Sequence, residues 1–566
     1  MRPIASHWIV LLWTVVAVGL RLHQLDAKPL WTDEISTIAF SLGSGFVDVP
    51  LRQVLMAEVL LEPLRVDPTA TPRDAALGIL AYSNHPPLFF VVMHLWLQAT
   101  HSAGQYVVPA VARGLSAVVG GLLTPLVYGL VRSACRAQTP AYLAAVLTAF
   151  SPFGVYLAQE ARHYTLALVW MTASLWCLTV ALQRLQQGKP LPRALMLGWI
   201  VANGLGLATH YFTALTLLAQ VLVLAVMAYR WRQRYSGGLG GVIKQIALVA
   251  LGTAVSGLVW LLALVAAPDQ GSLTQWIQTD GTWLDWLNPL THTAASAVSM
   301  AYLLPVQRVP EAIALVGVMV VLAIAAWSLW GWRVKSFDQP DGQSDGRLIA
   351  PERYAVAAAV LWGVSAASIL IILAATYGNQ IGLAQTLRYH FVYYPAFVGA
   401  MAVGLAYRWR SPQVYSRALV ILALAVSAAG GLSVTQNLAY QKVHRPDRIV
   451  AEIVAKSDPQ RPLLLATSHQ SHGQTGRLMA IAWGLRMQHP ELLQQAHFYL
   501  DPQPCARTGE QNCGVVGPDV REAIVAVEPG DVWLFNYEGR SRPAPRCRYQ
   551  ETERVDGYKV QHYHCM

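Results

Sequence analysis

The chain has 566 residues, 54% hydrophobic and only 13% charged, with a net charge of +10. Globular chains carry about 25% charged residues, and the deficit here falls in long apolar runs that read as membrane spans, which excludes an ordinary soluble protein. The excess Lys and Arg sits in short loops between apolar runs, no Walker-type loop or Gly-x-Gly-x-x-Gly after a strand occurs, and neither nucleic acid nor a nucleotide is an expected partner.

Residues 8–25 form the first apolar segment, with Arg2 before it and Arg21 near its far end. No small-x-small cleavage site follows, so it reads as a retained anchor. A long loop, 26–106, comes next. It holds Asp33 and Glu34, a stretch at 51–64 that reads as an amphipathic surface helix, and a short apolar run at 86–100. Further spans are expected near 107–131, 140–157, 165–183, 194–212, 213–230, 244–267, 309–332, 354–376, 391–407 and 415–436, about eleven with the first. If 86–100 lies along the interface, seventeen Lys and Arg fall on the inside of the membrane, among them Arg132, Arg136, Arg184, Lys189 and Arg193. The short outside loops then keep only Arg162, Arg308 and Arg388. A crossing at 86–100 would invert this asymmetry, against the positive-inside tendency. The long loop, the 159–164 turn, the 377–388 loop and the tail are thereby expected on one outer face.

From about 437 the composition turns polar, 333–353 reading as an inside linker before it. Pro462–Thr467 and Val532–Phe535 read as short buried strands and 475–496 as a helix, giving a small α/β domain. The expected division is 1–436 for the membrane part and 437–566 for an extracytoplasmic tail. Cys505, Cys513, Cys547 and Cys565 all fall in that tail, which suggests disulfides and an oxidising compartment. Three connectivities are open; loop length favours 505–513 with 547–565. Zinc is the competing reading, weakened by the lack of a C-x-x-C pair.

Four polar clusters could carry chemistry. Asp33-Glu34 beside a membrane exit is one, with helix-start charge as the plain alternative. Asn84-His85-Pro86-Pro87 is the second, where prolines can start a helix and fix His85. The third, Gln159-Glu160-Ala161-Arg162-His163-Tyr164, packs ionisable groups between two spans, where they must pair or line a cavity. Leu387-Arg388-Tyr389-His390 is the fourth; Arg388 suits a phosphate through its planar fork, unless it merely snorkels.

In this order, Asp33-Glu34, His85-Pro86-Pro87-Leu88-Phe89-Phe90, Gln159 to Tyr164 and Arg388-Tyr389 resemble the GT-C superfamily of membrane glycosyltransferases. The nearest branch is the protein O-mannosyltransferase and lipid A aminoarabinose transferase group, and the resemblance covers roughly 1–410. His390 and Tyr393-Tyr394 depart from the aliphatic run that often follows the late Arg-Tyr. The resemblance implies an inverting transferase taking a sugar from a polyprenyl-phosphate donor in the cytoplasmic (inner or plasma) membrane, with the reaction outside. The acceptor is left open between protein, lipid and polysaccharide. Asp33 is the expected base, with Glu34 orienting it or binding the acceptor. Arg388, Tyr389, Arg162 and His163 are expected at the lipid phosphate, and His85, Glu160 and Tyr164 elsewhere in the pocket. No cofactor is firmly implied. A divalent metal is left open, since Asp33, Glu34, Glu160 and His85 could supply ligands, though without tight spacing. The alternative is a transporter or flippase of a lipid-linked sugar.

Overall fold

The computed structural model describes residues 3–232, 239–266, 286–330, 351–503, 516–537 and 543–566. Chain contacts divide it into two compact units. One is built from 1–25, 113–266 and 274–440, and the other chiefly from 26–112 and 441–566.

The first unit is helical and fits a polytopic membrane protein. Among the described residues eight helices are long and apolar enough to cross a membrane, nine if the bent pair Gln138–Phe150 and Pro152–Ala158 counts as one span. The eleven expected spans fall on these nine and on the shorter helices His7–Leu22 and Arg193–Thr209. Burial separates their roles. Leu387–Trp409 is 94% buried and serves as the central packing element, whereas Gly241–Ala263, with mean hydropathy 2.2, is only 6% buried. Leu248, Leu251, Val255 and Leu258 stand exposed on it. Val242 and Val249 are buried and the helix packs on Arg193–Thr209, so the wide apolar face it leaves uncovered suits lipid.

The break in the bent pair has a visible cause. Pro152 has no N–H to give Thr148 O, the carbonyl four residues back, and the helix turns by 51° there. Arg21, fully buried, supplies the missing donors: Nη2 to Thr148 O at 2.8 Å and Nη1 to Ala149 O at 2.9 Å. Ser151 accepts from Gly154 N at 3.0 Å and donates to Met300 O at 2.6 Å. The clip aims Pro152–Ala158, and with it the turn 159–163.

The second unit joins the first loop to the tail. Its sheet has six strands, β1 (Val54–Met56), β2 (Leu463–His469), β3 (Ala496–Pro502), β4 (Asp531–Phe535), β5 (Cys547–Val555) and β6 (Tyr558–Cys565), in the order β1-β3-β2-β4-β6-β5. β2 pairs parallel with both β3 and β4, and the outer strands are antiparallel. β2 is buried along nearly its whole length, as a central strand covered on both faces should be. Helix His472–Gln488 packs on one side, with Pro446–Lys456, and helix Pro518–Val527 packs on β2 and β3. The tail is thus the expected small α/β domain. A disulfide joins Cys547 to Cys565 across β5 and β6, as expected; Cys505 and Cys513 lie outside the described residues.

Two expectations differ from the structure. The division at 436/437 assigned the first loop to the membrane part, yet β1 hydrogen-bonds to β3, Leu55 facing Phe498. The amphipathic helix expected at 51–64 is instead this strand followed by two single turns, Ala57–Leu60 and Glu62–Leu64. Leu55 is buried between exposed Val54 and Met56, the two-residue alternation of an edge strand, and Pro63 sits at the start of the second turn, where a missing N–H is tolerated. The apolar run at 86–100 forms helix Leu88–Thr100, 13 residues or about 20 Å, short of the ~30 Å hydrocarbon core. It packs within the second unit against Pro72–Tyr82 and Thr32–Ser41.

Candidate active site

In the first unit, the turn after Pro152–Ala158 carries Gln159, Glu160, Arg162 and His163, all buried. Gln159 Nε2 donates to His23 O at 2.7 Å, anchoring the turn to the end of the first helix. Arg162 N donates to Glu160 O at 2.7 Å, and Arg162 O accepts from Ser116 Oγ at 3.0 Å. The backbone is therefore held from three directions, and the side chains are presented rigidly.

Those side chains begin an aromatic ladder. The Arg162 guanidinium lies 5.8 Å from the Tyr164 ring centre, and His163 lies 4.7 Å from the same ring. His163 meets His210 at 4.4 Å, edge-on. His210 reaches Phe212 at 5.0 Å, and Phe212 reaches Tyr389 at 4.8 Å. The Arg388 guanidinium sits 5.5 Å from the Tyr389 ring. Phe391 closes the arrangement, 5.3 Å from Tyr164 and 4.9 Å from His210. Two sequence clusters, 159–164 and 387–390, are thus brought together by a third segment that the sequence reading passed over. His210 and Phe212 occupy the seam between helices Arg193–Thr209 and Thr213–Arg232. The Phe212 N–H donates to His210 Nδ1 at 3.1 Å, which makes that nitrogen an acceptor and assigns the ring proton to Nε2. The available signal was a histidine between two apolar runs with no Gly or Pro to account for the pause. His390, by contrast, is structural, bonding Tyr393 Oη and Ala384 O at 2.9 Å each.

In the second unit, helix Thr32–Ser41 starts with Trp31 at its N-cap. Asp33 and Glu34 therefore lie in the first turn, where the helix dipole favours negative charge. Glu34 is 1% exposed. The Asp33 backbone carbonyl accepts from Thr37 Oγ1 at 2.8 Å. Helix His472–Gln488 packs against this start through Gly476, where an added Cβ would come within 3.0 Å of Thr32 Cγ2. Around Asp33 the tail gathers Lys442, whose ammonium sits 3.9 Å over the Trp31 ring, along with His444 and Arg477. Burial pushes His444 down to about 4, the Arg477 charge adding to this and Asp33 opposing it. Burial also lowers Arg477, with Tyr558 and Asp33 opposing. None of the three basic residues was singled out from the sequence, because each belongs to an ordinary polar stretch of the tail. His85 Nδ1 is bonded to Ser83 Oγ at 2.9 Å, just before helix Leu88–Thr100, on which Pro87 is the N-cap. Among the described residues no group of three or more His, Cys, Asp or Glu is arranged to hold a metal ion.

No family model matches the sequence, and no curated protein sequence matches it. Among solved structures the chain is similar to ArnT from Cupriavidus metallidurans bound to undecaprenyl phosphate, at 13% identity and TM-score 0.48, over 99% of this chain and 98% of that one. It is also similar to the Archaeoglobus fulgidus oligosaccharyltransferase, at 12% identity and TM-score 0.44, over 93% and 68% of the two chains. The S. cerevisiae protein O-mannosyltransferase Pmt1-Pmt2 complex gives 15% identity and TM-score 0.32, over 51% and 36%.

Proposed function

We propose that the chain is an inverting glycosyltransferase that moves a sugar from a polyprenyl-phosphate donor to an acceptor at the extracytoplasmic boundary of the cytoplasmic membrane. The observation that carries this reading is the ladder joining Arg162 to Arg388 through His163, His210, Phe212 and Tyr389. Two guanidinium groups distant in sequence, Arg162 buried and Arg388 half-buried, both set against aromatic rings near span ends, suit a leaving group that departs as a lipid phosphate. Arg offers a two-oxygen fork, and in a water-poor setting the attraction is stronger than in water.

The reaction breaks the bond between the anomeric carbon and the phosphate oxygen and forms one from that carbon to the acceptor's heteroatom. The acceptor's proton passes to a carboxylate, for which Asp33 is the choice. Glu34, in the same helix turn, orients Asp33 or binds the acceptor. The electron pair of the broken bond leaves on the lipid phosphate, stabilised by Arg388, Arg162 and the Tyr389 hydroxyl, with His163 assisting. Glu160 and Tyr164 shape the surroundings of the two guanidinium groups, and His85 those of Asp33.

The experiment uses membranes containing the full chain, a radiolabelled polyprenyl-phosphate sugar, and analysis of where the label goes. Asp33→Asn removes the base and is expected to lower transfer by about 10²- to 10⁴-fold, the usual worth of general base catalysis, with unchanged protein level and melting temperature. Transfer at the wild-type rate rejects the assignment. Donor translocation without any new glycosidic bond rejects the transferase in favour of a flippase.

A further inference from the structure

Three tail groups turn toward the helix start that carries Asp33 with hydrogen-bonding capacity left unmet by the described residues. The Tyr558 hydroxyl is buried and makes no hydrogen bond, on a side chain 2% exposed. The half-buried Arg477 guanidinium, with five N–H donors in a fixed fork, makes no hydrogen bond or ion pair to a described residue. The His444 ring lies edge-on to Tyr558, centres 5.4 Å apart.

The fold builds this arrangement from both sides. Gly557, at φ +81, lets the β5–β6 turn close on the chain at 443–444; a Cβ there would stand 3.0 Å from Val443 O and 3.1 Å from His444 Cδ2. That closure sets Tyr558, the first residue of β6, beside His444. Gly476 lets its helix settle on Thr32, which sets Arg477 in the field of Asp33 and of Tyr558. A buried polar group without a partner costs about 1–3 kcal/mol, so the Tyr558 hydroxyl is one that a ligand would complete, with the half-buried Arg477 and His444 beside it. A guanidinium fork, a phenol and an imidazole together call for acceptor oxygens bearing negative charge.

We infer that Arg477, Tyr558 and His444 form an oxyanion-binding subsite beside Asp33, filled by an anionic group of one of the two substrates. Its part in turnover rests on the transferase reading; the binding does not. Asp33 repels the anion at close range, so the subsite holds it to one side of the carboxylate rather than on it.

The test titrates inorganic phosphate into the full chain in detergent, following Trp fluorescence, since Trp31 sits under Lys442 in the same cluster. Saturable binding is expected, weakened at least tenfold in Arg477→Gln and a few-fold in Tyr558→Phe. Arg477→Lys is expected to restore part of it. Variants are compared at equal melting temperature. No saturable binding in the wild type, or binding that survives Arg477→Gln unweakened, overturns the subsite. Competition by a short polyprenyl phosphate assigns the site to the donor, and lack of competition assigns it to an anionic acceptor. Phosphate binding by a chain that transfers no sugar would reject the transferase while leaving the subsite standing.

Discussion

At the scale of single residues, the sequence marks out side chains whose burial is expensive, and it stays silent on those that look ordinary. Glu160, Arg162 and His163 stood out because three ionisable groups in one short turn between spans are costly to place. His444 and Arg477 did not, because a basic residue in a polar tail needs no explanation until its neighbours are known. Arg388→Gln keeps length and polarity but loses the charge and the fork. A hydrogen bond to a charged group is worth about 1.5–3 kcal/mol, so KM for the lipid-linked donor is expected to rise about 10- to 100-fold. Steady-state kinetics at varied donor concentration checks this, and an unchanged KM removes Arg388 from the phosphate. His444 makes a pH prediction with a definite sign. Its folded value, about 4, lies below the ordinary 6.5, so folding favours the neutral ring. The unfolded chain then binds the extra proton first, and stability present above pH 6.5 is lost as the pH falls toward 4. His469, also pushed to about 4 by burial and then by His472, acts in the same direction. Thermal melts of the full chain across that window should fall with acid, and His444→Gln should flatten the slope. A slope equal to wild type means that folding leaves the proton affinity of His444 unchanged.

At the scale of elements, strong local periodicity carried most of the correct assignments, and contacts between distant segments carried the misses. Apolar runs of about twenty residues give themselves away, and so did the buried strands β2 and β4. β1 could not be seen, since three residues have no period to detect and their partner β3 lies in the tail. The Pro152 break was legible only as a proline; that Arg21 repairs it needs the structure. Arg21→Met strands two buried carbonyls, and a loss on the order of 2–4 kcal/mol is expected from about 1–2 kcal/mol each. In a Pro152→Ala background the restored N–H can serve Thr148 O, so the same substitution should cost less. Melting temperatures of the four proteins form the cycle, and equal losses in both backgrounds would falsify the clip. The Cys547–Cys565 bond closes a loop across 18 positions, for which chain entropy suggests ~3 kcal/mol. Reduction should therefore lower the melting of the second unit without altering the helical signal of the first. A uniform loss of both signals would contradict that.

At the scale of the whole molecule, one strand pairing constrains the path through the membrane. β1 belongs to the first loop and β3 to the tail, and because they hydrogen-bond in one sheet, both segments lie on the same side. The chain between them must then cross an even number of times. A crossing by 86–100 is not needed for this, since Leu88–Thr100 packs with its neighbours in the second unit and is too short besides. Among the described residues, the eight long spans, the bent pair and the short helix Arg193–Thr209 come after it. Parity allows ten crossings if the last two both cross, or eight if neither does. Charge decides between them. With eight, Arg184, Lys189 and Arg193 move to the side opposite Arg132 and Arg136, and the basic loops no longer agree. With ten they all stay inside, as the sequence reading had them. Ten crossings place the segment Gln187–Pro192 and residue 566 on opposite sides of the membrane; eight place them on the same side. A green fluorescent protein inserted at residue 190 should therefore glow, and alkaline phosphatase fused after residue 566 should be active. Both reporters signalling the same side would sink the ten-crossing path, and with it the expectation that the Asp33 loop and the tail face outward.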